Sequence, residues 1–183
     1  MSEIDPKAIQ AVIDKQAIQE KMALYSRAVD RADVELLRTM YHPDATEHHG
    51  GTFDGSAADY LDKISDGLAL AKGMTHLLCN CIVELNDDGK SAIVESYILT
   101  FARMKLDGKK TDTLTCARTV DRFEKRDGDW RIAARRMSWE WNRDMDSNEG
   151  WAGGMILPDP KAEEVVRGQK KPEDILYLMG GGR

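Results

Sequence analysis

Four extended runs with no helix between them constrain this chain most. Residues 74–85, 91–106, 113–125 and 130–143 are rich in branched and aromatic side chains, which suit a pleated, half-buried surface. Asn86-Asp87-Asp88-Gly89, Asp107-Gly108 and Asp127-Gly128 separate them. Asp-Gly is the dipeptide that a two-residue hairpin turn demands, because both positions must take positive φ. Parallel strands would need long crossovers, usually helical, so consecutive antiparallel hairpins are expected and a doubly wound sheet is not.

Helical signals precede the runs. Ile18, Met22, Tyr25 and Val29 recur at steps of four, three and four, one face of a helix over 14–30, with Asp14 as its expected N-cap. A second, short helix begins after Asp33, turns Leu36, Leu37 and Met40 inward, and stops near His42-Pro43, because a residue before proline avoids helical angles. Residues 45–55 read as a strand or hairpin. Ser56 and Asp59 form a capping-box pattern for a third helix whose inner face is Tyr60, Leu61, Ile64 and Leu68. The expected fold is an α+β roll: three N-terminal helices packed on the concave face of a curved, mostly antiparallel sheet. Residues 1–145 form that domain. Residues 146–183 form a glycine- and proline-marked extension with a short helix near 172–179, expected to cap a pocket mouth or an interface, with Gly153-Gly154 letting it move.

Composition narrows the function. With a net charge of −6 and a pI of about 5.3, the chain lacks the clustered positive charge that nucleic acid or an anionic membrane surface attracts. The polar start Met1-Ser2-Glu3-Ile4-Asp5-Pro6 does not resemble a signal peptide. Cys79, Cys81 and Cys116 are odd in number, fit a reducing cytoplasm and read as small buried fillers in strands. Adjacent strand residues point to opposite faces, so His48 and His49 do not suggest a shared metal, and no cysteine or histidine spacing resembles a zinc site. No phosphate loop, dinucleotide fingerprint or nucleophile elbow occurs, so no cofactor is expected.

The chemistry-bearing candidates are Asp30, at the end of the first helix, and His76, at the start of the first long strand. An aspartate at a helix C-terminus opposes the macrodipole and calls for a partner. A carboxylate can hold an imidazole in one tautomer and stabilise its protonated form. On a regular strand His76, Leu78, Asn80 and Ile82 share a face that mixes polar and apolar groups as a cavity wall would. Tyr25 could donate a hydrogen bond if that helix end unwinds, because positions five apart otherwise diverge by about 140°. Asn80, Tyr97, Arg118 and Trp139 are expected to contact substrate. Arg135 could meet an anionic substrate, although a surface place suits it and Arg118 better. Trp139 and Trp141, with Met137, are expected on one face of the last strand, lining a cavity or covering an interface. The plain alternatives are a core histidine, a surface Asp30 paired with Arg27 or Arg31, and a core tyrosine.

The order of elements carries a set of sequence words: Tyr25-Ser26-Arg27-Ala28-Val29-Asp30, Tyr41-His42-Pro43-Asp44-Ala45, Thr75-His76-Leu77-Leu78-Cys79-Asn80, Glu95-Ser96-Tyr97 and Asp121-Arg122-Phe123 through Gly128-Asp129-Trp130-Arg131-Ile132. In that order they resemble the SnoaL-like branch of the nuclear-transport-factor-2-like (NTF2-like) superfamily, from residue 14 to about 143. The resemblance is to its scytalone dehydratase, bile-acid dehydratase and hexachlorocyclohexane dehydrochlorinase members. It implies an Asp30–His76 dyad with Tyr25 as a neighbouring donor, no cofactor, and a homodimer or homotrimer. It implies a lyase acting on a small hydrophobic, cyclic or aromatic substrate, by loss of water or by retro-aldol-type release of formaldehyde. Two readings compete. In a ketosteroid-isomerase-like isomerase or cyclase, Asp30 itself would shuttle the proton. A non-catalytic ligand-binding module would hold Asp30 and His76 apart.

Overall fold

A computed structural model of the protein describes residues 5–182; Met1-Ser2-Glu3-Ile4 and Arg183 lie outside the described residues. The chain runs α1 (Pro6–Asp30), α2 (Val34–Thr39), β1 (Tyr41–His49), β2 (Asp54–Ser56), α3 (Ala57–Leu70), β3 (Lys72–Leu85), β4 (Ser91–Leu106), β5 (Lys109–Arg126) and β6 (Asp129–Asp146). A turn of 3-10 helix at Trp151–Gly154 and α4 (Ile175–Leu178) follow. One six-stranded sheet has the order β2-β1-β6-β5-β4-β3. The expected α+β roll is found. The sheet is antiparallel except where β1 runs parallel to β6, so the chain's first strand pairs with its last long one.

The turns form as their residues require. Asp107 and Gly108 have φ of 47° and 83°, and Asp127 and Gly128 have 52° and 84°, so both positions of each hairpin turn lie in the left-handed region. Ser56 caps α3, accepting from the Asp59 amide at 3.1 Å while its hydroxyl donates to the Asp59 carboxylate at 2.7 Å. Asp33 caps α2 through the Leu36 amide.

The first helix starts earlier than its apolar stripe. Asp5 is the cap, accepting from the Lys7 amide, and Pro6 takes the first position. The opening turns expose Ile9, Val12 and Ile13, so periodicity carries no signal there. Asp14 is not a cap. It is buried mid-helix, where it accepts from Lys125 Nζ at 2.8 Å and Trp130 Nε1 at 2.9 Å.

Ile18, Met22, Tyr25 and Val29 all face the core, with Leu37, Leu61, Val94, Phe123 and Ile132. The helices lie on the concave face, α1 against β3 and β6, and α3 against β1.

Two of the sheet's register slips re-aim side chains that bear on the site. Between Leu78 and Cys81 the β3–β4 register slips, so the inward row is His76, Leu78, Cys81 and Val83. Asn80 and Ile82 turn outward, contrary to a regular alternation. Cys79 is exposed and Cys81 half-buried, so of the three cysteines only Cys116 is a buried filler. On β6, Ala117 pairs with Trp139 but Cys116 with Trp141, which leaves Glu140 as the extra residue and puts the two tryptophans on opposite faces.

Candidate active site

The end of α1 and the start of β3 meet. Helix α1 keeps its hydrogen bonding through Asp30; Arg31 N still donates to Arg27 O, and the chain reverses at Ala32, whose φ is 52°. Asp30 therefore projects from a rigid last turn. Its carboxylate accepts the His76 main-chain amide through both oxygens, at 3.0 and 2.9 Å, and meets His76 Nδ1 at 2.7 Å. The amide bonds fix the carboxylate, and the carboxylate fixes the ring. An ionised carboxylate has only lone pairs to offer, so Nδ1 carries the hydrogen and Nε2 is the free basic nitrogen. Among the described residues no hydrogen-bond partner meets Nε2, and the side chain stays 18 % exposed.

The concave face continues from His76 through apolar floor residues. Leu78 pairs with Ile98, Ile98 with Ala117, and Ala117 with Trp139. Ile98 and Ala117 are buried, whereas Trp139 is 48 % exposed. Ser26, one turn before Asp30 on the same side of α1, is buried with its hydroxyl unpartnered, as are Ser96 and Thr119 on the sheet floor. Those three hydroxyls were not singled out from sequence. The i, i+4 relation of Ser26 to Asp30 was the available signal.

Tyr25 lies elsewhere. Because α1 does not unwind, Tyr25 diverges from Asp30 and is buried under Arg135, whose guanidinium carbon is 4.1 Å from the ring centroid. Burial raises its pKa, only partly offset by Arg135. It belongs to a second polar cluster. Arg135 forks onto Asp121 at 2.7 and 2.8 Å. Tyr41 donates to Glu47 Oε2 at 2.9 Å. Glu47 Oε1 meets His49 Nδ1 at 2.9 Å, and His49 Nε2 lies 3.1 Å from the Tyr60 hydroxyl. Glu47 and Asp121 are 0 % exposed and Arg135 2 %. Burial alone would discharge Arg135, but Asp121 and the surrounding tyrosines hold its pKa well above the usual arginine value. A surface place was expected for Arg135; facing Asp121 across the β5–β6 ladder instead makes it a core residue. Glu47 was not singled out and His49 was weighed only as a metal ligand, although i, i+2 spacing on a strand puts them on one face.

The remaining candidates do not gather at His76. Asn80 is exposed on the outer face because of the β3 bulge. Tyr97, 37 % exposed, and Arg118 pair on the outer face, where Arg118 bridges Glu95 and Glu140 at 2.9 and 3.2 Å. Trp139 does reach the concave side, 5.8 Å from the His49 ring, with its Nε1 donating to Gly50 O at 3.0 Å.

The chain after β6 is tied down at two places. Glu149 pairs with Arg103 at 2.7 Å, and residues 170–177 dock on the α1–α2 corner. A concavity of about 470 Å³ lies there, lined by Arg27, Arg31, Asp174, Ile175, Leu176 and Met179.

Comparisons agree on the architecture. No curated protein sequence matches the chain. A candidate scytalone dehydratase from Novosphingobium aromaticivorans DSM 12444 superposes with a TM-score of 0.68 at 20% identity, covering 77% of this chain and 93% of that one. The type 2 hexachlorocyclohexane dehydrochlorinase LinA gives 0.69 at 15% identity, covering 77% and 95%. A candidate aromatic ring hydroxylase from N. aromaticivorans gives 0.63 at 18%, covering 73% and 94%. At such identities these likenesses speak for the fold. Residues 10–136 match the SnoaL-like domain family, which is most of the chain, and the protein therefore belongs to that family, within the NTF2-like fold.

Proposed function

We propose that the protein is a cofactor-independent lyase in which His76 is the general base and Asp30 its orienting partner. The observation that carries this reading is the 2.7 Å Nδ1–carboxylate bond, with Nε2 unpartnered among the described residues on a side chain that is 18 % exposed. His76 Nε2 takes a proton from carbon, or from a hydroxyl, of a small hydrophobic cyclic or aromatic substrate. In the first case the C–H electron pair forms the new double bond, the β C–O bond breaks, and the imidazolium returns its proton to the departing hydroxyl, which leaves as water. In the second the alkoxide pair becomes the C=O bond of formaldehyde as the C–C bond breaks, the C–C pair forms the new C=C bond as a C–O bond on the next carbon breaks, and the imidazolium protonates the departing oxygen. The apolar floor of Leu78, Ile98 and Ala117 suits such substrates, and Trp139 offers an aromatic face. The names of the structural neighbours, a dehydratase and a dehydrochlorinase, point to the same class of elimination.

Asp30 does not suit the role of lone base in an isomerase. Its two oxygens already accept three bonds from the His76 amide and ring, so most of its acceptor capacity is spent on holding the imidazole. The non-catalytic reading needed the two side chains apart, and they are bonded. The oligomer is part of the proposal as well: the outer sheet face exposes Leu77, Ile82, Tyr97, Val120 and Trp141, an apolar surface for a second copy of this chain.

The test is a panel of aryl β-hydroxy ketones and aryl-substituted 1,3-diols, with water loss read by the alkene absorbance and formaldehyde by trapping. The wild type turns over at least one class, and Asp30→Asn and His76→Ala lose about 10²–10⁴-fold in rate, the usual worth of a positioned base. Near-wild-type turnover by both variants removes the mechanism.

A further inference from the structure

The C-terminal segment, outside the matched family region, ends against the helix terminus that carries Asp30. Lys171 N donates to Arg31 O at 2.9 Å, and Lys171 Nζ to Asp33 Oδ1 at 2.9 Å. Tyr177 donates to Asp33 Oδ2 at 3.0 Å, and Arg31 pairs with Asp174 at 3.3 Å. These contacts anchor the segment by themselves. Lys170 does something different: its Nζ donates to the main-chain oxygen of Asp30 at 2.8 Å.

An ammonium in that place is costly. Burial, the largest influence, lowers the Lys170 pKa, Arg31 pushes the same way, and the Asp30 charge opposes them. Among the described residues the Asp30 carbonyl is the one hydrogen-bond partner of Nζ, so two of its three donors gain nothing from the protein to repay desolvation. What compensates is charge. The carboxylate of the same residue is close by, and the C-terminal end of α1 favours a cation. Asp30, conversely, stands at the wrong end of the dipole for an anion.

We propose that Lys170 is a positioning residue of the Asp30–His76 pair. Its bond holds the last carbonyl of α1 in place. Its charge, set on the main-chain oxygen of Asp30, opposes a second positive charge on the imidazole that the same residue holds. At this end of α1, Lys170 sits on the Asp30 carbonyl, Arg31 is next in sequence and pairs with Asp174, and Arg27 lies in the last helical turn. Asp33 and Asp174 are engaged by Lys171, Tyr177 and Arg31. The extension is thereby a working part of the site. This rests on the lyase reading for its purpose but not for its test, because the titration of His76 is read without substrate.

The experiment follows the His76 ring nitrogens of the full chain by ¹⁵N NMR across pH, in wild type, Lys170→Met, Lys170→Arg, Lys171→Met and Asp30→Asn. Loss of the cation lets the imidazole hold its proton more tightly, so Lys170→Met moves the His76 midpoint to higher pH by about half a unit to one unit, a ~3–10-fold change in proton affinity. Lys170→Arg restores it. Lys171→Met, which loosens the same segment without removing this charge, lowers Tm and leaves the midpoint in place. On a turned-over substrate, the acidic limb of kcat/KM in Lys170→Met moves with the midpoint. Lys170→Gln replaces the methionine variant if that one fails to fold. A midpoint in Lys170→Met within about 0.2 unit of wild type, or equal shifts in the Lys170 and Lys171 variants, overturns the proposal. Asp30→Asn separates the two readings: if it leaves His76 unmoved, the pair itself is wrong, whereas movement there with none in Lys170→Met condemns only the role of Lys170.

Discussion

At the residue scale, the described residues include two carboxylate–imidazole pairs of different character. Asp30–His76 leaves a ring nitrogen free. Glu47–His49 has both of its ring nitrogens occupied, one by Glu47 and the other by Tyr60. Only the first can take a proton from a substrate without breaking a bond first. Sequence reasoning found the first pair because both residues sit in recognisable words, and it missed the second because a buried glutamate looks like any surface charge until its register is known. Arg135 teaches the same lesson. It is a core residue only because Asp121 faces it, a cross-strand relation invisible along the chain. Arg135→Met leaves Asp121 buried without its partner, and about 3–5 kcal/mol of stability is lost, read as a fall in the urea midpoint. A change below about 1 kcal/mol would mean that the fork contributes little.

At the scale of elements, punctuation was legible and bulges were not. Asp-Gly at residues 107–108 and 127–128, and Ser56 with Asp59, specify turns and a cap through local chemistry, and each formed as read. Ser56→Ala removes the α3 cap and costs about 1 kcal/mol, seen as a lower Tm. The slips at Leu78/Cys81 and Cys116/Ala117 depend on how neighbouring strands share register, so Asn80 was aimed inward and Trp141 was grouped with Trp139. The docked C-terminal segment has its own pH signature. Burial of Asp33 and Asp174 favours the neutral acid, yet bonds from Lys171, Tyr177 and Arg31 and from nearby amides leave both with lowered pKa values. A depressed carboxyl stabilises the folded form above its unfolded value, about 3.9, and that contribution fades as pH falls through the folded value. Amide NMR signals of residues 168–179 therefore stay native from neutral pH down to about 4 and shift toward undocked positions below it, before the sheet signals change. Undocking that begins above about pH 6 would contradict this.

At the scale of the whole molecule, a curved sheet with helices on one side leaves two very different surfaces. The concave side carries the histidine and the unpartnered hydroxyls. The outer side carries apolar side chains and the Arg118 bridges. Self-association through the outer side predicts a dimer or trimer by sedimentation, and Ile82→Glu with Trp141→Glu reduces it to a monomer of unchanged secondary structure; an oligomer that survives both charges uses another face. The fold class was readable because long hairpin runs and helix caps are local facts. What ties the elements to one another was readable only in part, since Asp14, Arg135 and Lys170 act on partners more than ten residues away. The most direct test of the central claim is hydrogen exchange at carbon, measured by mass spectrometry in D₂O with 4-phenylbutan-2-one, a phenyl-substituted ketone that can lose a proton but has no leaving group. The account predicts deuterium uptake with wild type and its loss in both His76→Ala and Asp30→Asn. Uptake that persists at the wild-type rate without the imidazole would contradict it.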